Sequence, residues 1–157
     1  QLCIAVVQDT TEALDLCRRF VEKSQEAGFN RTKSEIPFFR YFYVAETEEQ
    51  ARLDTQERLN WVADIMQWRR FIPEGSEVNL RMDDWRRTRS ELPATYEYLA
   101  KNRAIIGNPD QCAAQIQELR DQGIEYFGCN FDFGGMSHDK VLKSMDLFSK
   151  EVMPRFT

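Results

Sequence analysis

Residues 107–154 read GNPDQCAAQIQELRDQGIEYFGCNFDFGGMSHDKVLKSMDLFSKEVMP, and the reading of this stretch decides the fold. Asn108 stands at a helix N-cap, Pro109 at the first helical position and Asp110 at the positive end of the helix dipole. Ala113, Ile116, Gln117 and Leu119 follow through the helix, and Gly123 supplies the residue just past its end. Residues 124–133 form a strand rich in aromatics, closed by Gly134-Gly135. Ser137 caps a final helix that carries Val141, Leu142, Met145, Leu147, Phe148 and Val152, with Pro154 just beyond it.

Working back towards the N-terminus, the same alternation recurs. Residues 2–7 (LCIAVV) are a short unbroken apolar run, suited to a strand covered on both faces. Asp9-Thr10-Thr11-Glu12 has the capping-box spacing. Leu14, Cys17, Phe20 and Val21 then recur at helical intervals until Gly28. Residues 36–44 (IPFFRYFYV) are β-branched and aromatic enough for a second strand. A further capping box at Thr47-Glu48-Glu49-Gln50 opens a long helix with Ala51, Leu59, Val62, Ile65, Met66 and Trp68 on its apolar side. Trp61, Met66 and Trp68 read as core. Over residues 71–92 the periodicity fails, and an unstructured stretch of this length points to a mobile active-site loop or an insertion. A helix resumes near Pro93, with Tyr96, Leu99 and Ala100 on one face.

Strands alternating with helices imply parallel strands joined by right-handed crossovers. Three parallel strands alone leave two bare edges and one uncovered face. The arrangement makes better sense as the last three βα units of a (β/α)8 TIM barrel, with a long insertion before the final strand. The chain also opens at Gln1 straight into an apolar run, so a preceding portion is expected.

The 157 residues, 42% apolar and 30% charged, have the composition of an ordinary globular chain rather than a disordered one. A net charge of −5 excludes a non-specific nucleic-acid binder, which needs a basic face to displace counterions. No apolar run approaches the ~20 residues that span a bilayer, and no secretory signal is legible, so a cytoplasmic location is expected. Cys3, Cys17, Cys112 and Cys129 form no CxxC pair, and His138 is the one histidine. Structural zinc is therefore not expected, and the cysteines read as buried free thiols.

Gly107-Asn108-Pro109, Gln122-Gly123-Ile124, Gly134-Gly135 and Glu151-Val152-Met153-Pro154, in that order, resemble the C-terminal signature of the bacterial-luciferase-like flavin-dependent monooxygenases. Residues 41–52 (YFYVAETEEQAR) resemble the family's strand-then-helix after its seventh strand, and residues 71–92 fall where its members carry a mobile loop over the active site. The resemblance implies an enzyme that uses reduced FMN and O2 to oxidise a small organic substrate, with a flavin reductase as a partner. A sister branch uses the deazaflavin F420 for hydride transfer. The catalytic histidine of some members and much of the phosphate cradle would precede Gln1. No catalytic residue is therefore assigned, the segment is expected to be inactive alone, and it would need the missing N-terminal barrel portion or an oligomeric partner. The competing class is a non-catalytic α/β module that packs on a partner chain through its open sheet edges.

Barrel enzymes place their chemistry at the C-terminal ends of strands, here residues 7–9, 44–46 and 130–135. Asn130 and Asp132 share one side of a strand, and Gly134-Gly135 would let backbone approach a cofactor. The plainer alternative is a βα turn in which Asp132 bonds backbone amides. Arg40 interrupts an aromatic strand, so it should be paired or face a cavity. It is a candidate for an anionic substrate or flavin phosphate, with a structural ion pair as the alternative. Arg81, Arg86, Arg87 and Arg89, with Trp85, are substrate or lid candidates, because the guanidinium fork binds oxyanions bidentately. Asp83 and Asp84 beside them allow a merely solvated charge run. His138 reads as a surface residue.

Overall fold

The computed structural model describes residues 1–68 and 95–156. Three parallel strands, β1 (Phe38–Val44), β2 (Ala104–Gly107) and β3 (Phe127–Asn130), form one sheet in the order β2-β1-β3. Helices α1 (Thr10–Glu26), α2 (Glu48–Trp68), α3 (Tyr96–Arg103), α4 (Pro109–Asp121) and α5 (His138–Leu147) surround it. The last helix continues as a π turn, Phe148–Val152, and a short 3-10 turn, Met153–Arg155, at Pro154.

Both edges of β1 are occupied, each by two different partners. On one edge the Phe39 amide donates to the Ile4 carbonyl at 2.9 Å, and higher up the Ala45 amide donates to Gly107 at 3.1 Å. On the other edge β3 pairs from Phe38 to Tyr41, and the Val44 amide then donates to Ser144 Oγ of α5 at 2.8 Å. This division corrects two expectations. Residues 2–7 do not form a strand; only Ile4 bridges Phe38. The upper part of that edge belongs to β2, in register from Tyr41↔Ala104 to Val44↔Gly107. The strand expected over residues 124–133 pairs only over Phe127–Asn130. At the height of Val44 a helix side chain has replaced the ladder, so Phe131 and Phe133 turn into the packing layers instead.

The helix ends follow local chemistry. Asn108 Oδ1 accepts from the Gln111 amide at 2.9 Å, while Gln111 Oε1 accepts from the Asn108 amide at 3.0 Å. Thr47 Oγ1 accepts from the Gln50 amide at 3.1 Å. Gly123, at φ +87°, takes the left-handed position past α4. Asp9 and Ser137 stand at N-cap positions but make no side-chain cap bond. The helix expected near Pro93 begins, among the described residues, at Tyr96, where Thr95 caps it.

Alternation along β1 splits the molecule into two packing layers. Phe38, Phe42 and Val44 face α1, α4 and the π turn, together with Ile4, Cys17, Ile105, Cys112 and Val152. Tyr41, Tyr43 and Ala45 face α2 and α3, with Leu59, Leu99, Phe133 and Met136. Phe42 anchors the first layer, with its ring 5.1 Å from Phe131 and 5.0 Å from Phe148, both edge-on. Trp61, expected in the core, is 52% exposed on the outer side of α2. The side chains of Met66 and Trp68 lie outside the described residues. All four cysteines are free; Cys17 and Cys112 are buried and Cys129 is half-buried, but Cys3 is exposed, contrary to expectation. No described helix is long and apolar enough to cross a membrane.

Candidate functional site

Parallel strands place register partners on the same face. Asn130 lies beside Tyr41, and Arg40 lies beside Cys129. Asn130 therefore belongs to the tyrosine face and Arg40 to the opposite, phenylalanine face. The structure does not bring Arg40 together with Asn130, Asp132, Gly134 and Gly135. The candidate lid residues Arg81, Trp85, Arg86, Arg87 and Arg89 lie outside the described residues.

The turn after β3 combines two glycines with different surroundings. Both have positive φ, +63° at Gly134 and +67° at Gly135. A Cβ on Gly134 would collide with the main chain of α2 at Arg58, whereas a Cβ on Gly135 would meet nothing within 4 Å. Gly134 thus serves close packing of the turn on α2, and Gly135 leaves its backbone uncovered. Arg58 Nη1 donates to the Gly134 carbonyl at 3.4 Å. Asn130 is half-buried and Asp132 exposed. The turn leads into the N-terminus of α5, whose first amides receive no bond from the Ser137 side chain. A half-buried amide, an open backbone, a cation and a positive helix end thus gather at the C-terminal end of β3. Arg58 was not legible as part of this set. It is one of many charges on α2, and only the packing of the turn selects it.

Two polar clusters flank this region. In the first, Tyr43 donates its hydroxyl to Asp54 Oδ2 at 2.9 Å, and Lys140 of α5 pairs with Oδ1 of the same carboxylate. Burial by itself would raise the Asp54 carboxyl. Hydrogen bonds from Lys140, Gln50 and Tyr43, with the Lys140 charge, outweigh it and hold the group below its ordinary value. Burial, followed by the bond to Asp54, pushes the Tyr43 phenol well up. In the second cluster, Asp9 accepts from the Tyr98 hydroxyl and from Arg103 Nε. Burial and that bond to Asp9 push the Tyr98 phenol up to about 12. Asp9, recognised in the sequence as a capping residue, is instead a tertiary anchor holding α3 against the start of α1. No local signal distinguishes these roles, because both need a short acid at the same position.

Arg40 is 1% exposed. Its Nε donates to Thr10 Oγ1 at 3.2 Å and its Nη1 to the Phe39 carbonyl at 2.8 Å. The guanidinium carbon lies 4.1 Å from the centre of the Phe38 ring. Among the described residues no carboxylate lies within ion-pair distance of Arg40; Asp9, whose charge acts on it, is paired with Arg103.

No protein-family model matches the chain. Its folding pattern is that of the luciferase-like enzymes. A solved monooxygenase from Streptomyces bottropensis superposes with a TM-score of 0.60 at 18% identity, covering 98% of this chain and 41% of that one. The oxygenating constituent of 3,6-diketocamphane monooxygenase from Pseudomonas putida, a type II Baeyer–Villiger enzyme solved with FMN, gives 0.64 at 22% identity, covering 92% and 40%. The coenzyme F420-dependent tetrahydromethanopterin reductase of Methanopyrus kandleri gives 0.58 at 20% identity, covering 96% and 44%. In sequence, the alkanal monooxygenase alpha chain of Photorhabdus luminescens is 26% identical over 152 residues, covering 96% of this chain. In sequence the chain is similar to part of a bacterial-luciferase-type monooxygenase, and its α/β fold matches part of the barrel of the solved monooxygenases. It spans 33% of the length of the Photorhabdus relative.

Proposed function

We propose that this chain forms part of a flavin-dependent monooxygenase that oxidises a small organic substrate with reduced FMN and O2. The observation that carries the reading is the match of 96% of the chain to the alkanal monooxygenase alpha chain. The fold likeness to an FMN-bound oxygenase supports it.

The residues at the end of β3 fit such a cofactor. The Asn130 amide and the Asp132 carboxylate offer hydrogen-bonding groups to the polar edge of a flavin ring. The open backbone at Gly135 admits a close approach. The α5 N-terminus and Arg58 supply positive potential for an anionic group. Bound reduced flavin supplies the electrons that activate O2. The residues of this chain bind and orient, and they hold a site that must exclude water. On this reading Arg86, Arg87 and Trp85 belong to a lid over the substrate, and a flavin reductase delivers the reduced cofactor. Because the chain spans a third of the Photorhabdus relative, the site on this reading is completed by other parts of a barrel, and the chain alone is inactive.

A second reading, an F420-dependent oxidoreductase, is favoured by the fold likeness to the Methanopyrus reductase. Incompleteness is tested by flavin titration of the purified chain, read by fluorescence alongside size-exclusion chromatography. The expected result is no binding by a self-associating chain. Tight one-to-one FMN binding by a monodisperse monomer overturns the incompleteness. The chain is then substituted for the third of the Photorhabdus alpha chain that it matches. The folded chimera should bind FMN, and Asn130→Ala and Gly135→Val should weaken that binding. A folded chimera that ignores FMN sinks the monooxygenase reading, and one that prefers F420 decides for hydride transfer.

A further inference from the structure

Arg40 lies in a physically expensive position. A guanidinium removed from water needs its donors satisfied and a counter-charge nearby. Two of its nitrogens are bonded, but Nη2 is buried with no hydrogen-bond partner. Burial, the dominant influence on the group, pulls its pKa down to about 10, with the Asp9 charge working against it. The same side chain borders a cleft of about 410 Å³ between α1 and α4, floored by Ala104 and Ile105 of β2. Exposed Lys101 of α3 stands on the rim, and Thr10, the first residue of α1, lines the near wall. Asp9, turned towards Tyr98 and Arg103, makes no side-chain cap bond to the first turn of α1. A buried donor without a hydrogen-bond partner, a free-standing cation and a helix start that its N-cap side chain does not bond therefore converge on one cleft. Glu118 and Asp121 line the side contributed by α4. Their charge disfavours bulky polyanions and leaves room for a compact anion held at the Arg40 end.

We propose that this cleft binds a small oxyanion, a phosphate or carboxylate group, with Arg40 as its buried donor and Lys101 as its rim cation. The site lies on the phenylalanine face, away from the glycine turn after β3, and it does not depend on the flavin reading. Planar guanidinium recognises a tetrahedral or planar oxyanion through parallel N–H donors, which a point charge does not. Nη2 itself is buried, so the ligand engages it only once the side chains between it and the cleft give way.

The test is calorimetric titration of the full chain with inorganic phosphate, against chloride at matched ionic strength and without flavin. Saturable one-to-one binding is expected. Lys101→Ala should weaken it about threefold, the scale of an exposed charge, and Lys101→Glu about tenfold. Arg40→Met should abolish it. Lys101 is exposed, so its variants keep the fold and decide the matter even if Arg40→Met does not fold. Absence of saturable binding overturns the proposal, as does binding unchanged in both Lys101 variants, which would mean an adventitious ion only. Acetate in a parallel titration distinguishes the two sources: competition assigns the site to carboxylates as well, and phosphate binding without competition assigns it to phosphate alone.

Discussion

On one face of β1, Phe38, Phe42 and Val44 enter a dry layer of phenylalanines and aliphatic side chains. On the other, Tyr41 and Tyr43 pack beneath α2 and α3, and Tyr43 ends on a carboxylate shared with Lys140. The dry face hides a guanidinium with one nitrogen left without a hydrogen-bond partner. The wet face holds its charges in bonded sets and leads directly to the strand ends. Stability and chemistry are thus divided between the faces of one strand whose residues differ only in odd or even position.

The largest test of this division is Phe42→Ala. Phe42 is fully buried and touches three other rings, so its loss should cost about 3–5 kcal/mol in urea unfolding. A cost under about 1 kcal/mol would mean that the dry face does not anchor the fold.

The turn beyond β3 gives a sharper contrast. Gly134→Ala meets both a left-handed backbone and the α2 main chain, and should destabilise by roughly 2 kcal/mol or more. Gly135→Ala meets only the backbone penalty of about 1 kcal/mol. Equal losses in thermal denaturation would contradict the distinct roles given to these neighbours.

The wet face should show itself in acid. The folded Asp54 carboxyl lies below its ordinary value of 3.8. Its pairing therefore stabilises fully above that value and is lost as pH falls through the folded value. Asp54→Asn should flatten the fall in melting temperature over the acid range, and an unaltered profile would remove Asp54 from the account. The smallest effect concerns the thiols. Burial pushes Cys112 and Cys129 up to about 12, Cys17 is buried, and Cys3 is exposed. Iodoacetamide should label Cys3 first, with the other three modified only on unfolding. Rapid native labelling of Cys112 would mean that the dry face opens readily.

Much of this was legible along the chain. Asn108-Pro109 fixed the start of α4, Thr47 the start of α2 and Gly123 the end of α4, because caps are settled within one turn of backbone. The aromatic run at residues 38–44 announced the central strand for the same local reason. The four residues of β2 are too few to display a period, and they lie between a helix and a cap, so nothing marked them as a strand. The apolar run at residues 2–7 was conspicuous but pairs at a single residue, because pairing depends on which strand holds the neighbouring edge.

The sequence by itself determined the alternation of strands and helices, the parallel arrangement, most helix ends and the class of protein that the chain resembles. These rest on spacing and on short motifs, which act over a few residues. Only the tertiary structure decided that Arg40 faces away from Asn130, that Asp9 anchors Tyr98 and Arg103 rather than capping α1, and that Arg58 joins the glycine turn. Each of these depends on strand register and helix packing between residues far apart in the chain, and one step of register would carry a side chain to the opposite face.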